Sequence, residues 1–429
     1  MTQSSKPAAT SGKKQSLWAK LGPGLISGAA DDDPSGIATY SQVGAGFGYA
    51  ILWTALFTFP LMVGIQTISA RIGRVTGQGL AANIRRHYPP WLLYGIVLLL
   101  LIANTINIAA DIGAMGAALK LLIGGPAHWY AIGFGLLSLG LQIFVPFPRY
   151  APILKTLTFA LLAYVATVFV VKVPWSEVAY QTLMPSLSVK SNYLLAVLAV
   201  FGTTISPYLF FWQASQEVED QRAAPGEEPL VEAPEQASAE LQRINIDTYV
   251  GMGFSNLVAF FIMLTAVVTL HLHGITDIQT SAQAAEALRP LAGDFAFVLF
   301  TAGIVGTGLL AVPILAGSAA YGIAEAFRWH IGLGLELLHA RGFYTIVIIA
   351  TVLGVILNFT PVDPVKALFW SAVINGVISV PIMVVMMLMA VRVDIMGRFV
   401  IGRWLRIFGW LATVSMAIVV LALFATWLD

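Results

Sequence analysis

Hydrophobic positions in this chain fall into long runs, with neither the alternation of strands nor the narrow stripe of a soluble helix. Eleven apolar segments stand out, near 18–43, 49–70, 91–122, 127–147, 150–172, 193–216, 244–270, 293–325, 342–358, 365–391 and 405–428. Their lengths suit helices that cross a hydrocarbon layer ~30 Å thick. An amphipathic stretch from Gly77 to His87 is expected to lie on the surface and not to cross, and a second short one runs from Ala282 to Leu291. The longest polar connection, Gln221 to Glu240, is acidic and Pro-bearing and reads as a flexible cytoplasmic loop. The fold class expected is an all-α membrane protein.

Segments one and six are interrupted. The first is apolar from Trp18 to Ala30, reads Asp31-Asp32-Asp33-Pro34-Ser35-Gly36, and resumes at Ile37. Thirteen residues make only about 20 Å of helix, too short to cross alone. Carboxylates at membrane depth are costly, Pro34 lacks an N–H, and Gly36 tolerates unusual backbone angles, so the chain should unwind there. In segment six, Gly202-Thr203-Thr204-Ile205-Ser206-Pro207-Tyr208 interrupts an apolar run. Unwound backbone survives at that depth only where it is buried in protein or lines a cavity. Two broken helices five segments apart predict a 5+5 inverted repeat with the binding site between the breaks. The expected division is a tail at 1–17, repeats at 18–172 and 193–391, and an added helix at 405–428. Two simpler alternatives are a pair of proline kinks without a site, and an Asp triplet in a loop that splits segment one.

Composition narrows the class. Only 10% of residues are charged, against about 25% in soluble domains, so most side chains face something other than water. A net charge of +1 gives no electrostatic ground for nucleic-acid binding, and the absence of Cys excludes disulfides and thiolate metal sites. With the N-terminus inside, Lys120, Lys172, Lys190, Arg289 and Lys366 fall outside and the other eighteen of the 23 Lys and Arg fall inside. The expectation is a multi-pass inner-membrane protein in the lipid bilayer, N-terminus cytoplasmic and C-terminus outside, working as a monomer.

The breaks offer carboxylate, hydroxyl and carbonyl oxygens, with no Cys, His or Met. That hard donor set suits Mg²⁺, Mn²⁺ or Ca²⁺. Asp33, directly before Pro34, is the leading ligand candidate; Asp32 and Asp31 either face a vestibule or hold protons. Asn104, Asn107 and Asp111 share a face of segment three, and Asn375-Gly376 interrupts segment ten. The asparagines serve equally as ligands or as interhelical hydrogen-bonding groups. Gln213, Gln216, Glu217 and Asp220 share a face after the second break and are candidates to line a cytoplasmic exit.

From about Leu21 to Ala390 the chain resembles the Nramp family of divalent-metal transporters. The resemblance is carried by Leu21-Gly22-Pro23-Gly24 with Asp33-Pro34 nine residues on, by Gly77-Gln78-Gly79-Leu80-Ala81, and by Asn245-Ile246-Asp247. It implies a LeuT-type inverted repeat and a metal site made of Asp33, the carbonyls of Ala30 and Thr203, and Ser206. Members that carry Mn²⁺ and Fe²⁺ typically have Asn where this chain has Gly36, and Met-Pro-His where it has Ser206-Pro207-Tyr208. Their acid pair in helix three aligns with Ala110 and Gly113, while Asp111 is offset by one. This combination is similar to the Nramp-related magnesium transporters. The function expected is therefore a divalent-cation carrier for Mg²⁺, also passing Mn²⁺, without proton coupling and without a cofactor. Alternatives are a proton-coupled Mn²⁺/Fe²⁺ carrier and an amino-acid or organic-cation transporter on the same fold. The sequence holds no nucleophile elbow, His-containing dyad or phosphate loop to support an enzyme.

Overall fold

A computed structural model describes residues 22–335 and 337–428. The expected tail at 1–17, the start of the first segment at 18–21 and the terminal Asp429 lie outside them. The described residues are helical, without strands.

The first half comprises α1 (Pro23–Asp31), α2 (Pro34–Phe47), α3 (Trp53–Thr76), α4 (Leu80–His87), α5 (Pro90–Ile123), α6 (Ala127–Phe144), α7 (Phe147–Thr158), α8 (Leu162–Val170) and α9 (Trp175–Leu183). The second comprises α10 (Ser191–Thr204), α11 (Pro207–Ala223), α12 (Ala237–Thr269), α13 (Ser281–Glu286), α14 (Arg289–Ala292), α15 (Ala296–Phe327), α16 (Arg341–Leu357) and α17 (Pro364–Ala390). A short α18 (Val393–Met396) and the final α19 (Arg403–Leu428) follow.

Nine stretches among the described residues are long and apolar enough to span a bilayer. The broken pair α1–α2 and the 17-residue α16 complete the eleven expected segments. Segments one and six break where the sequence predicts. Pro34 and Pro207 each open the second half of their helix at N1, a first-turn position whose N–H would have no intrahelical partner in any case. Packing repeats with an offset of five spans: α12 lies on α1 as α3 lies on α11, and α5 on α6 as α15 on α16. This is the 5+5 inverted repeat of the LeuT fold, with α19 packed outside it against α3 and α17.

Small residues let the broken helices approach their neighbours at backbone contact. A Cβ on Gly28 would lie 2.2 Å from the carbonyl oxygen of Gly251, and one on Gly251 would lie 2.2 Å from that of Gly24, so α1 and α12 touch main chain to main chain. At the second break, a Cβ on Gly202 would lie 2.0 Å from the Ala372 carbonyl oxygen of α17.

Three expectations need correction. The loop from Gln221 to Glu240 is not a free linker. Its ends belong to α11 and α12, and the Leu230 and Val231 amides donate to the Arg74 and Val75 carbonyls at 3.3 and 3.2 Å. Buried Arg74 holds it through Glu227 (3.0 Å) and Glu240 (3.4 Å); a buried guanidinium requires such partners, and the acidic composition supplies them. The stretch after segment two is α4, but it is not merely superficial: Leu80 to Ile84 are buried, and the Ala82 amide donates to the Glu325 carboxylate at 3.0 Å. The stretch from Ala282 to Leu291 is split between α13 and α14, because Pro290 starts a new turn.

Candidate functional site

The unwound residues of segment one hold Asp33 by its own chain. Asp33 caps α2: its Oδ1 accepts the Gly36 amide at 2.7 Å and the Ser35 hydroxyl at 2.8 Å. Its Oδ2 receives only a long contact from the Tyr208 hydroxyl, 3.4 Å, while that same hydroxyl donates to the Ala30 carbonyl at 3.0 Å. One carboxylate oxygen is thus fixed by the fold and the other is left toward segment six. Asp33, Ala30 and Tyr208 are all buried and lie together, as the sequence reading required.

Segment six arrives more fully satisfied. The Ser206 hydroxyl turns back onto the Gly202 and Thr203 carbonyls at 2.8 and 2.7 Å, and Ser379 of α17 donates to the Ile205 carbonyl at 2.8 Å. The Thr203 carbonyl therefore already has a donor. Thr203 nonetheless faces the first break: a Cβ on Gly36 would meet its Oγ1 at 3.3 Å and the Asp31 carbonyl at 3.1 Å. Gly36 leaves the close approach of the two breaks free of a side chain.

The other acids divide. Ser255 of α12 donates to Asp31 Oδ2 at 2.6 Å and to Asp32 Oδ1 at 3.2 Å, so both carboxylates are held by α12. Asp111 comes within electrostatic reach of Asp33 and the Ser35 amide, and neither of its oxygens has a hydrogen-bond partner. Asn375 is buried with its amide unpartnered, next to Gly376, which packs against Gly202. Asn104 instead ties α5 to α15 through the Leu315 carbonyl (2.8 Å) and the Ser318 hydroxyl (2.7 Å), an interhelical role. Among the described residues no three His, Cys, Asp or Glu side chains converge as a metal-binding group. At the break, Asp33 Oδ2 carries only the long Tyr208 contact, Asp31 Oδ1 is buried without a partner, and Asp111 stands behind with neither oxygen partnered.

The site is closed at both ends, by different means. At one end a cavity of about 540 Å³ lies between α2, α10, α17 and the segment around Asp277. It stops at Val43 and Ala196; deeper, the Tyr40 hydroxyl and Thr204 Oγ1 meet at 3.0 Å across α2 and α10. At the other end a polar lattice seals α1, α11 and α12. Asp247 accepts the amides of Gly22, Gly24 and Leu25 at 2.9, 2.6 and 3.0 Å, capping the start of α1 from another helix. Arg243 bridges buried Glu217 and Glu240. Gln213 joins Gln66 (2.5 Å) and Thr248 (3.1 Å), and Gln216 joins Tyr321 (2.9 Å). The face of α11 singled out as an exit is thus the seal itself.

Sequence reasoning missed Tyr40, Thr204, Arg243 and Ser255. For Ser255 a signal existed. Asp247, Gly251 and Ser255 recur at a spacing of four in α12 and make one stripe, and all three face α1: acid on its amides, glycine on its backbone, hydroxyl on its Asp pair. Tyr40 and Thr204 carry no such mark, since their meeting depends on how α2 and α10 cross.

Known proteins agree with this architecture. Residues 24–426 match the family described as "Natural resistance-associated macrophage protein-like". The chain is 28% identical over 414 residues to the divalent metal cation transporter MntH of Klebsiella pneumoniae (strain 342), covering 94% of this chain and 92% of that one. It is 27% identical over 412 residues to MntH of Deinococcus radiodurans, covering 94% and 88%. Among solved structures, the Eremococcus coleocola manganese transporter superposes with a TM-score of 0.71 at 19% identity, covering 95% of this chain and 87% of that one. Mhp1, a nucleobase-cation-symport-1 family transporter, superposes at 0.58 and 14% identity over 95% and 93%. By the extent of the family match, this chain belongs to the Nramp family of divalent-metal transporters and is a carrier, not an enzyme.

Proposed function

We propose that the chain carries Mg²⁺, and also Mn²⁺, across the membrane into the cytoplasm as a uniporter. The observation that carries this reading is Asp33: a carboxylate with one oxygen pinned by its own chain and the other held only by the long 3.4 Å contact from Tyr208, among hydroxyl and carbonyl oxygens and without sulfur or imidazole. Mg²⁺ gives up its water reluctantly, and is held by one or two carboxylates with waters retained. Tyr208 favours such an ion. Its hydroxyl already spans Ala30 and Asp33, so a hydrated cation meets the site through hydrogen bonds as well as through Oδ2. In this reading Asp33, the Ala30 and Thr203 carbonyls and Ser206 form the site, with Gly36, Tyr208, Asp111, Asn375 and Asp32 around it.

The charge bias of the loops assigns the cavity of about 540 Å³ to the outer face and the Glu217–Arg243 lattice to the cytoplasm. The N-terminus is then inside and the C-terminus outside. Residues 18–172 and 193–391 are the two repeats, 405–428 is the addition, and the chain acts as a monomer in the bilayer. Membrane potential alone supplies about 4.6 kcal/mol per 100 mV for a divalent ion, enough to concentrate it without protons.

The test is metal-dependent flux into proteoliposomes that contain a pH-sensitive dye. Mg²⁺ and Mn²⁺ entry without internal acidification is the expected result. The proximity of Asp111 to Asp33 favours a second reading, in which Asp111 takes the proton that the ion displaces. Acidification that accompanies flux and disappears in Asp111→Asn selects that reading instead.

Ser206→Met places a thioether where this chain has a hydroxyl. Softer ions gain most from sulfur. Cd²⁺ should compete against Mg²⁺ about tenfold better in the variant, the shift that ~1.4 kcal/mol produces. Unchanged competition would argue that Ser206 stands apart from the ion.

A further inference from the structure

We propose that the pocket at the start of α16 binds the phosphate of an anionic phospholipid headgroup. The pocket, about 320 Å³, is lined by Arg328, Trp329, His330, Leu338, His339 and Arg341, with Ala340 and Gly342 at its edge. Its only charged linings are arginines, and neither Arg328 nor Arg341 has an ion-pair partner among the described residues. Among the described residues, two acids of neighbouring elements are committed elsewhere: the Glu325 carboxylate to the Ala82 amide and Ser215, and Glu219 to Tyr321 and the Leu333 amide. Arg85, which donates to the Glu325 carbonyl, adds a third guanidinium near Arg328; burial first, and then the Arg328 charge, holds Arg85 below its ordinary range.

A second, independent feature is the helix itself. The α16 helix has 17 residues, and its N-cap, Ala340, offers no side-chain acceptor, so its first amides are left for another acceptor. Uncapped amides at the positive end of a helix dipole bind phosphate readily. The backbone is shaped for this arrangement. Arg328 adopts the left-handed conformation (φ 60°), the one non-glycine residue described that does so. A Cβ on Gly342 would lie 2.5 Å from the Trp329 ring, so glycine lets the indole pack directly on the first turn of α16 and wall one side of the pocket.

The rim decides for a lipid over a soluble phosphate. Phe327, Trp329, Leu335 and Leu338 are 52%, 42%, 41% and 66% exposed around the cationic floor, and Phe327 stacks on Trp329 at 5.4 Å. Basic groups beneath exposed aromatic and aliphatic side chains suit a headgroup with its acyl chains alongside. The same loop reaches the seal, since the Leu333 amide binds Glu219 of α11, so an occupied pocket braces the closed side of the carrier.

The experiment uses the full-length transporter in detergent and the double variant Arg328→Asn/Arg341→Gln; asparagine accepts the left-handed backbone. Native mass spectrometry with phosphatidylglycerol should show lipid adducts on the wild type, and melting curves should rise with that lipid. Phosphatidylcholine and inorganic phosphate should do neither at equal concentration. In the double variant the apparent affinity should fall about tenfold or more, as the loss of two surface cations predicts. Equal binding of phosphatidylglycerol by the variant, or of phosphatidylcholine by the wild type, overturns the proposal. Stabilisation by inorganic phosphate as large as by the lipid overturns the lipid assignment. Should the variant be less stable alone, adduct retention still reads affinity separately from melting.

Discussion

Asp33→Asn should fold, insert and melt near the wild type, yet move less than about 1% of the wild-type Mg²⁺ or Mn²⁺. The reason lies in the division of labour between its two oxygens. Asparagine keeps an acceptor for the Gly36 amide and the Ser35 hydroxyl, so α2 keeps its cap. What is lost is the charge at Oδ2. Removing one partner from a buried ion contact costs ~3–5 kcal/mol, a factor of about 10² to several times 10³ in occupancy. Asp33→Ala removes the cap as well and should lose a further ~1 kcal/mol of stability. Comparing the two by flux and by melting separates the ion's ligand from the helix's cap. Wild-type flux in a well-folded Asp33→Asn protein would remove the site from this break.

The second large effect is expected at the Glu217–Arg243 lattice, which is proposed to face the cytoplasm. Arg243→Ala leaves Glu217, which is fully buried, without its guanidinium. An uncompensated buried carboxylate costs ~3–5 kcal/mol, and the closed form bears that cost while an open, wetted form does not. The equilibrium should swing by two orders of magnitude or more toward opening on that side. The chain contains no Cys, so one reporter thiol suffices: Met252→Cys, buried on α12 one turn from Thr248. Alkylation from the cytoplasmic side should be slow with Arg243 present and fast without it, and net transport should fall because the outward form is depleted. Equal alkylation rates would show that Arg243 does not hold the seal.

The parts of this molecule legible in sequence were those in which a local rule is broken. Proline alone does not break a helix here, since Pro60, Pro313 and Pro381 lie inside α3, α15 and α17. Pro34 beside an Asp triplet and Pro207 beside a Gly-Thr-Thr run do, so both breaks and the inverted repeat could be read directly. The place of Asp33 at the start of α2 was legible because it precedes Pro34. The orientation of each carboxylate was not, since Asp31 and Asp32 turn toward Ser255, a residue 223 or 224 positions away. The acidic stretch from Gln221 to Glu240 was misjudged for a related reason. Composition favours disorder there, but the guanidinium of Arg74 recruits two of its acids. Ser206 and Thr203 were chosen for their oxygens, and those oxygens prove to be partly spent on each other. Donor inventories predict what a break can offer, while the fold decides what it withholds.

The main-chain contact of Gly24 and Gly28 with Gly251 bears on how the carrier can turn over. Side chains that interdigitate allow helices to ratchet past one another by a notch. Two bare backbones have no notches. The inner half of segment one must therefore either travel with α12 as one lever or detach from it in a single event. Detachment would hand the amides of Gly22, Gly24 and Leu25 from Asp247 to water all at once. By this contact alone the carrier is expected to work as a switch rather than a slide, with half-open forms that lose the Asp247 bonds without gaining others in exchange.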